Sequence, residues 1–265
     1  MTRALRLSLL LVSLAGHPVL AATAAPSLPD APAALAVAGG ATGSSMAVSL
    51  GKHADFMQEN ASDDARRLAD WIIDSNDHHD LPFLIVDKRN AKSFVFDGAG
   101  RIKGAAPVLL GMATGDDSAP GIGQRKLSAI APSERTTPAG RFPATVSRNL
   151  HGEEILWVDY DAAISLHRVI TGNPKERRAE RLASSTIDDN RISYGCINVP
   201  VTFYEQVVSP AFRQANGIVY VLPESGSMDE TFDSYDVNQH ARQQPLPVSV
   251  PPAGTSPVEH VIRLR

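Results

Sequence analysis

The sequence predicts a mainly-β domain, a sandwich or barrel core with short helices and helical insertions. Between Leu81 and Glu224, short β-rich apolar runs alternate with turns rich in Gly, Asp and Asn. No strand–helix–strand alternation recurs, which argues against a doubly wound parallel sheet. The chain also lacks internal repeats, which argues against a solenoid or propeller.

Taken in order, residues 1–24 have the form of a secretory signal. Arg3 and Arg6 precede an apolar run from Leu7 to Leu14, and small residues from Ala21 to Ala24 offer a cleavage site. The run is short against the about 20 residues of a spanning helix, which weighs against the competing reading, a retained anchor. Residues 25–60 open on a Pro-, Gly- and Ala-rich stretch and are expected to be a flexible linker. Residues 61–80 carry a helix. Ser62 is its expected N-cap, Asp63 and Asp64 favour its first turn, and Leu68, Trp71 and Ile72 share one face.

Residues 81–224 hold the expected catalytic domain. "FLIVDK" and "KSFVFD" form a hairpin across "KRNA", and "AAPVLLGMA" supplies a third strand. "TGDDSAPGIGQRKLS" is a surface loop, since its glycines do not match a phosphate-binding spacing. "TTPAGRFPATVSR" is a turn and a strand, and two further strands lie near Ile155 to Tyr160 and Ala163 to Val169. "NPKERRAERLASS" begins a helix with Asn173 as cap and Pro174 at the first position. "PVTFYEQVVSPAFR" is a short helix and "GIVYVLPE" a closing strand. Residues 225–265 turn polar and then Pro-rich, and read as a tail or spacer.

A net charge of -4 argues against a nucleic-acid partner. The chain holds a single cysteine, Cys196, within "ISYGCINVP". Exported proteins usually pair their cysteines, so a lone one is a reactive thiol, an intermolecular partner or a small buried hydrophobe. A thiol nucleophile needs a base, oxyanion donors and open access. Gly195 permits a tight backbone bend, and the N–H groups of Tyr194, Gly195 and Cys196 are candidate oxyanion donors. An ordinary turn is the alternative. Of the eight histidines, His17 lies in the signal and His240 and His260 in the tail. His78 and His79, beside Asp77 and Asp80, read as a hydrated helix-end loop rather than a metal cluster. His53, His151 and His167 remain as candidate bases, with His167 on a strand.

"HRVI" followed by "ISYGCINVP" resembles the signature of the L,D-transpeptidase (YkuD-like) family. "TTPAGRF" and "FLIVDKRNAKSFVFDGAGRI" resemble the turn and opening hairpin of the same family, so the likeness runs from Phe83 to Leu222. The resemblance implies a β-sandwich or partly closed barrel with the cysteine loop in a cleft. It implies Cys196 as nucleophile, His167 as base, and the Arg168 carbonyl as the group that orients the imidazole. Ser193 would support the loop, Tyr194, Gly195 and Cys196 would supply oxyanion N–H groups, and Asn198 would shape the substrate site. The implied reaction is acyl transfer on peptidoglycan stem peptides in the periplasm, through a thioester and without metal or organic cofactor. A hydrolase on the same scaffold and a non-catalytic cell-wall-binding protein are the alternatives.

Three departures stand out. Arg168 follows His167 where the family has glycine, and His151-Gly152 is treated as a decoy. Tyr194 replaces a frequent His or Arg. The connection from His167 to Cys196 contains the long insertion "TGNPKERRAERLASSTIDDNR". Its Lys175, Arg178 and Arg181, with Arg177 alongside, form either a basic flap over stem carboxylates or a solvated helix of Glu–Arg pairs. Arg178 and Arg181 are the candidate substrate contacts there, and the Pro-rich tail is a candidate contact for an envelope partner.

Overall fold

The computed structural model describes residues 51–243. The expected signal, most of the linker, and the tail from residue 244 onward lie outside the described residues, as do His17 and His260.

Helix α1 (Asp63–Ser75) starts where Ser62 Oγ accepts the Ala65 N–H at 3.1 Å, and stops at Asn76 in a left-handed conformation. Its buried face is Ala65, Leu68, Ala69, Trp71 and Ile72. Strands β1 (Phe83–Asp87) and β2 (Lys92–Phe96) form the expected hairpin, with Leu84 opposite Val95. β3 (Ile102–Pro107) follows β2, and the short β4 (Leu110–Gly111) turns away to a different partner. This divides the single strand expected over "AAPVLLGMA". Pro107 has no N–H to extend the ladder, so it ends β3.

β5 (Gly140–Arg148), β6 (Glu154–Asp159) and β7 (Ile164–Arg168) form a meander. The insertion follows β7 and contains α2 (Arg178–Ala183). Asn173 caps a short 3-10 turn at Pro174–Glu176, and Arg177, at φ 50°, separates that turn from α2. β8 (Arg191–Ser193) pairs with β4 in parallel, and β9 (Ile197–Val199) pairs with β7 in parallel. A helical run then joins α3 (Val201–Phe203) to α4 (Ser209–Arg213) through a π-helical turn at Tyr204–Val208. Pro210 lacks the N–H for an α-helical bond to the preceding turn, which accounts for the local widening. β10 (Gly217–Val221) closes the sheet, and α5 (Met228–Phe232) and α6 (Val237–Gln243) follow.

Eight strands form one sheet in the order β3-β2-β1-β10-β5-β6-β7-β9. β5 is shared along its length: Gly140 to Ala144 pair with β10, and Thr145 to Arg148 pair with β6. The segment leaving β3 reaches the far edge, where Leu109 and Asn198 exchange backbone hydrogen bonds of 2.8 and 2.9 Å. The sheet is thus mainly antiparallel and nearly closed on itself.

β1 is buried on both faces, as its unbroken apolar run requires. Leu84 and Val86 join the core inside the curled sheet, with Leu156, Leu166, Ile197, Tyr204 and Phe212. Phe83 and Ile85 join the second core, with Leu68, Ile72, Phe94, Phe96 and Tyr220. Each such fully buried side chain contributes about 1.5–3 kcal/mol.

Two boundaries differ from the sequence expectation. Residues 51–60 are part of the fold rather than linker. Phe56 is 3% exposed and packs edge-on against Phe94 and Phe96, while Asp55 hydrogen-bonds to the backbone of Gly100 and Ile102. Residues 225–243 are also folded, since Met228, Phe232, Val237 and Ala241 are buried and the Tyr235 hydroxyl donates to Asp74. His240 therefore sits in α6 and stacks on Tyr235. Among the described residues no helix is long and apolar enough to cross a membrane.

The helix-end loop also differs from expectation. His78 is 2% exposed, with its ring nitrogens 3.2 Å from the Ile72 carbonyl and 3.0 Å from the Gly98 carbonyl. Asp77 accepts from Arg141 and from the Tyr220 hydroxyl. Buried backbone carbonyls need donors, and the His78 ring stands between two of them. Among the described residues no cluster of three or more His, Cys, Asp or Glu is placed to hold a metal ion.

Candidate active site

Strand period places the first half of the site. Along β7, Ile164 and Leu166 enter the core, so Ser165 and His167 point to the opposite face. That face and the β5–β6 turn line a cleft of about 850 Å³, which includes Ile155, Trp157, Ser165, His167 and Arg168. His151 lies on the wall of this cleft.

The second half is the loop between β8 and β9. Ser193 Oγ donates to the Cys196 carbonyl at 2.6 Å and accepts the Gly195 N–H at 3.0 Å. Gly195 has φ +125°, and a Cβ there would stand 2.6 Å from the Thr136 carbonyl oxygen and 2.7 Å from Ile164 Cδ1. Only glycine fits this bend. Thr137 Oγ1 donates to the Gly195 carbonyl at 2.8 Å and accepts the Gly111 N–H at 2.9 Å. The "TTPAG" turn is therefore the seat of the cysteine loop.

Beneath that seat, Lys88 is fully buried. Its Nζ donates to the carbonyls of Gly115 and Thr137 and to Asp116, at 2.7, 2.9 and 2.8 Å. Glu224 lies 3.7 Å from the same ammonium and pairs with Arg191 at the start of β8. Burial pushes the Lys88 ammonium toward proton loss, and its acidic neighbours oppose this. Burial also opposes charge on Asp116, but the Lys88 ammonium and backbone N–H groups hold its carboxyl well below the usual range.

The two halves meet at Cys196, which is half-buried and stands beside His167, each side chain shifting the other's titration. His167 Nδ1 lies 2.7 Å from the Arg168 carbonyl, which can only accept. This fixes the proton on Nδ1 and leaves Nε2 for the sulfur. Burial raises the Cys196 thiol, but the neighbouring His167 and then Ser165 bring it below the ordinary thiol value. Burial likewise opposes charge on His167, and the partnership with Cys196 overcomes it, so the imidazole is raised. Opposite shifts in one contact pair favour the thiolate–imidazolium form.

No protein-family profile and no curated protein matches this chain. This chain is similar in structure to L,D-transpeptidase catalytic domains and to Pgp2. The helical cell shape determining protein Pgp2 from Campylobacter jejuni is 13% identical, with a TM-score of 0.39, over 61% of this chain and 52% of that one. The catalytic domain of the E. faecium L,D-transpeptidase is 15% identical, with a TM-score of 0.33, over 54% of this chain and 98% of that one. Mycobacterium tuberculosis L,D-transpeptidase 1 is 15% identical, with a TM-score of 0.29, over 54% of this chain and 62% of that one. The chain thus spans about half the length of Pgp2. At such identities and scores the likeness assigns no role to any residue here, and the chemistry is read from this chain's own side chains.

Several expected site residues are placed differently from expectation. The Gly195 N–H is taken by Ser193 Oγ, so it is not a free oxyanion donor. The N–H groups of Tyr194 and Cys196 are then the remaining candidate donors. The Tyr194 ring lies under the Arg135 guanidinium at 3.9 Å, and Arg135 also donates to the Ile130 carbonyl. The Arg168 side chain is held by Glu205, the Glu154 carbonyl and the Tyr204 ring, which fixes its direction.

Asn198 is fully buried and stands opposite His167 in the β7–β9 register. Its Nδ2 donates to the Cys196 carbonyl at 3.3 Å and its Oδ1 accepts from Arg178 at 2.7 Å. It braces the cysteine loop. Arg178 also pairs with Glu176, and Arg181 donates to the carbonyls of Glu176 and Asp189. Arg178 is thus directed into the fold toward Asn198, whereas Arg181 is held within the insertion. Arg177, paired with Glu180, and Lys175 are exposed, as in the solvated pattern.

Ser165, Thr137 and Lys88 were not among the sequence candidates. Ser165 had a signal, since it precedes His167 by two residues on a strand and so shares its face.

Proposed function

We propose that this chain is an exported cysteine acyltransferase acting on peptidoglycan stem peptides, with Cys196 as nucleophile and His167 as base. The observation that carries the reading is the half-buried Cys196 beside His167, with the imidazole fixed by the Arg168 carbonyl. The substrate class comes from the sequence resemblance around "ISYGCINVP".

The thiolate attacks the carbonyl carbon at the L-centre of diaminopimelate in a donor stem. Charge develops on the carbonyl oxygen, facing the N–H groups of Tyr194 and Cys196. The C–N bond breaks, the imidazolium gives its proton to the departing D-Ala amine, and a thioester remains on Cys196. The amine of a second stem then attacks the thioester and loses its proton to His167. The thiolate leaves and an L,D cross-link is formed.

The test is incubation of the protein with purified tetrapeptide muropeptides, followed by product masses. Cross-linked dimers that carry one D-Ala fewer, absent with Cys196→Ala, are the expected result. Shortened monomers alone would make the protein a hydrolase on the same site. Unchanged substrate would point to a cell-wall-binding module.

A further inference from the structure

We propose that Ser165 is a third catalytic residue, whose hydroxyl donates to the Cys196 sulfur and holds the thiolate. The inference rests on the reading of Cys196 as the nucleophile.

The geometry begins with register. β7 and β9 run parallel, with Leu166 opposite Ile197 and His167 opposite Asn198. One step back along both strands sets Ser165 opposite Cys196. Ser165 Oγ is 3.6 Å from Sγ, within hydrogen-bonding reach of a sulfur.

Ser165 is 5% exposed, so its hydroxyl has little access to water. Among the described residues Cys196 Sγ is the one hydrogen-bond partner of that hydroxyl. A neutral thiol is a weak acceptor, and a buried hydroxyl gains little from it. A thiolate accepts a charge-assisted bond, which is about twice as strong as a neutral one. The arrangement therefore favours the charged sulfur over the neutral one.

The alternative state of the sulfur has its own partner. The Ala163 carbonyl lies 3.7 Å from Sγ and can accept an S–H. Ala163 has φ 56°, a left-handed conformation uncommon for a residue with a Cβ, in the turn that leads into β7. The thiol thus has an acceptor in Ala163 and the thiolate a donor in Ser165. In the reaction, Ser165 releases the sulfur as the S–C bond forms and regains it as the thioester breaks, so it assists departure of the thiolate.

The test is the pH dependence of Cys196 alkylation by iodoacetamide, in the wild type, Ser165→Ala, Ser165→Thr and His167→Gln. The chain has one cysteine, so the signal is unambiguous. Loss of a hydrogen bond to a charged group predicts that Ser165→Ala moves the thiolate midpoint up by about one pH unit. Ser165→Thr keeps a hydroxyl and restores most of the shift. If Ser165→Ala does not fold, Ser165→Gly removes the same hydroxyl and carries the same prediction. An unmoved midpoint in the alanine or glycine variant, with His167→Gln still shifted, overturns the Ser165 proposal and leaves the nucleophile intact. A midpoint that neither substitution moves overturns the nucleophile reading itself.

Discussion

Arg178 Nη1 lies 2.7 Å from Asn198 Oδ1, and so joins the long insertion to the cysteine motif. Asn198 is fully buried and holds the Cys196 carbonyl with its other end. The guanidinium is also close enough to His167 for its charge to oppose protonation of the ring. Removing that positive charge favours the imidazolium. Arg178→Gln therefore moves the His167 titration midpoint to higher pH, measured by NMR on histidine-labelled protein. Arg181→Gln leaves the midpoint in place, because Arg181 bonds only to carbonyls within the insertion. An unmoved midpoint in Arg178→Gln would contradict this role.

Gly195→Ala tests the seat of the loop. The added Cβ meets the Thr136 carbonyl at 2.6 Å, and φ +125° is strained for any L side chain. Denaturant unfolding should show a loss of about 1–3 kcal/mol. Turnover should fall with it, since the displaced loop carries Cys196. Full activity in this variant would mean that the bend is not needed.

Lys88→Met tests the buried network below. The substitution leaves Asp116 and the carbonyls of Gly115 and Thr137 without their shared donor. Breaking one partner of a buried pair costs about 3–5 kcal/mol. The expected result is a large fall in Tm, and a Tm within a degree or two of wild type would refute it.

Much of this architecture is legible in the sequence because it depends on local pattern. The caps at Ser62 and Asn173, the hairpin across "KRNA", and the strands around Ile155 and Ala163 all follow from spacing and turn chemistry. What escaped is set by distant partners. Phe56 is a lone aromatic in a polar stretch, and only the rings of Phe94 and Phe96 show that it is core. Met228, Phe232, Val237 and Ala241 are sparse among polar residues, and their burial depends on the cover that the second core provides. At the site, the Cys196–His167 pair follows from motif order, whereas the inward turn of Arg178 and the burial of Lys88 depend on chain crossings that no local window contains.

Phe56→Ala tests the revised N-terminal boundary. A buried aromatic truncated to alanine costs about 3–5 kcal/mol, read as a lower denaturant midpoint. A linker residue would show no change.

The central claim is that His167 turns Cys196 into a thiolate, and the most direct measurement is the ultraviolet absorbance of that thiolate against pH. Subtraction of the Cys196→Ala titration removes the tyrosine signal and isolates the one sulfur. The account predicts a midpoint below the ordinary thiol value of about 8.5, moved upward in His167→Gln. A wild-type midpoint at or above that value, unaltered by His167→Gln, would contradict it.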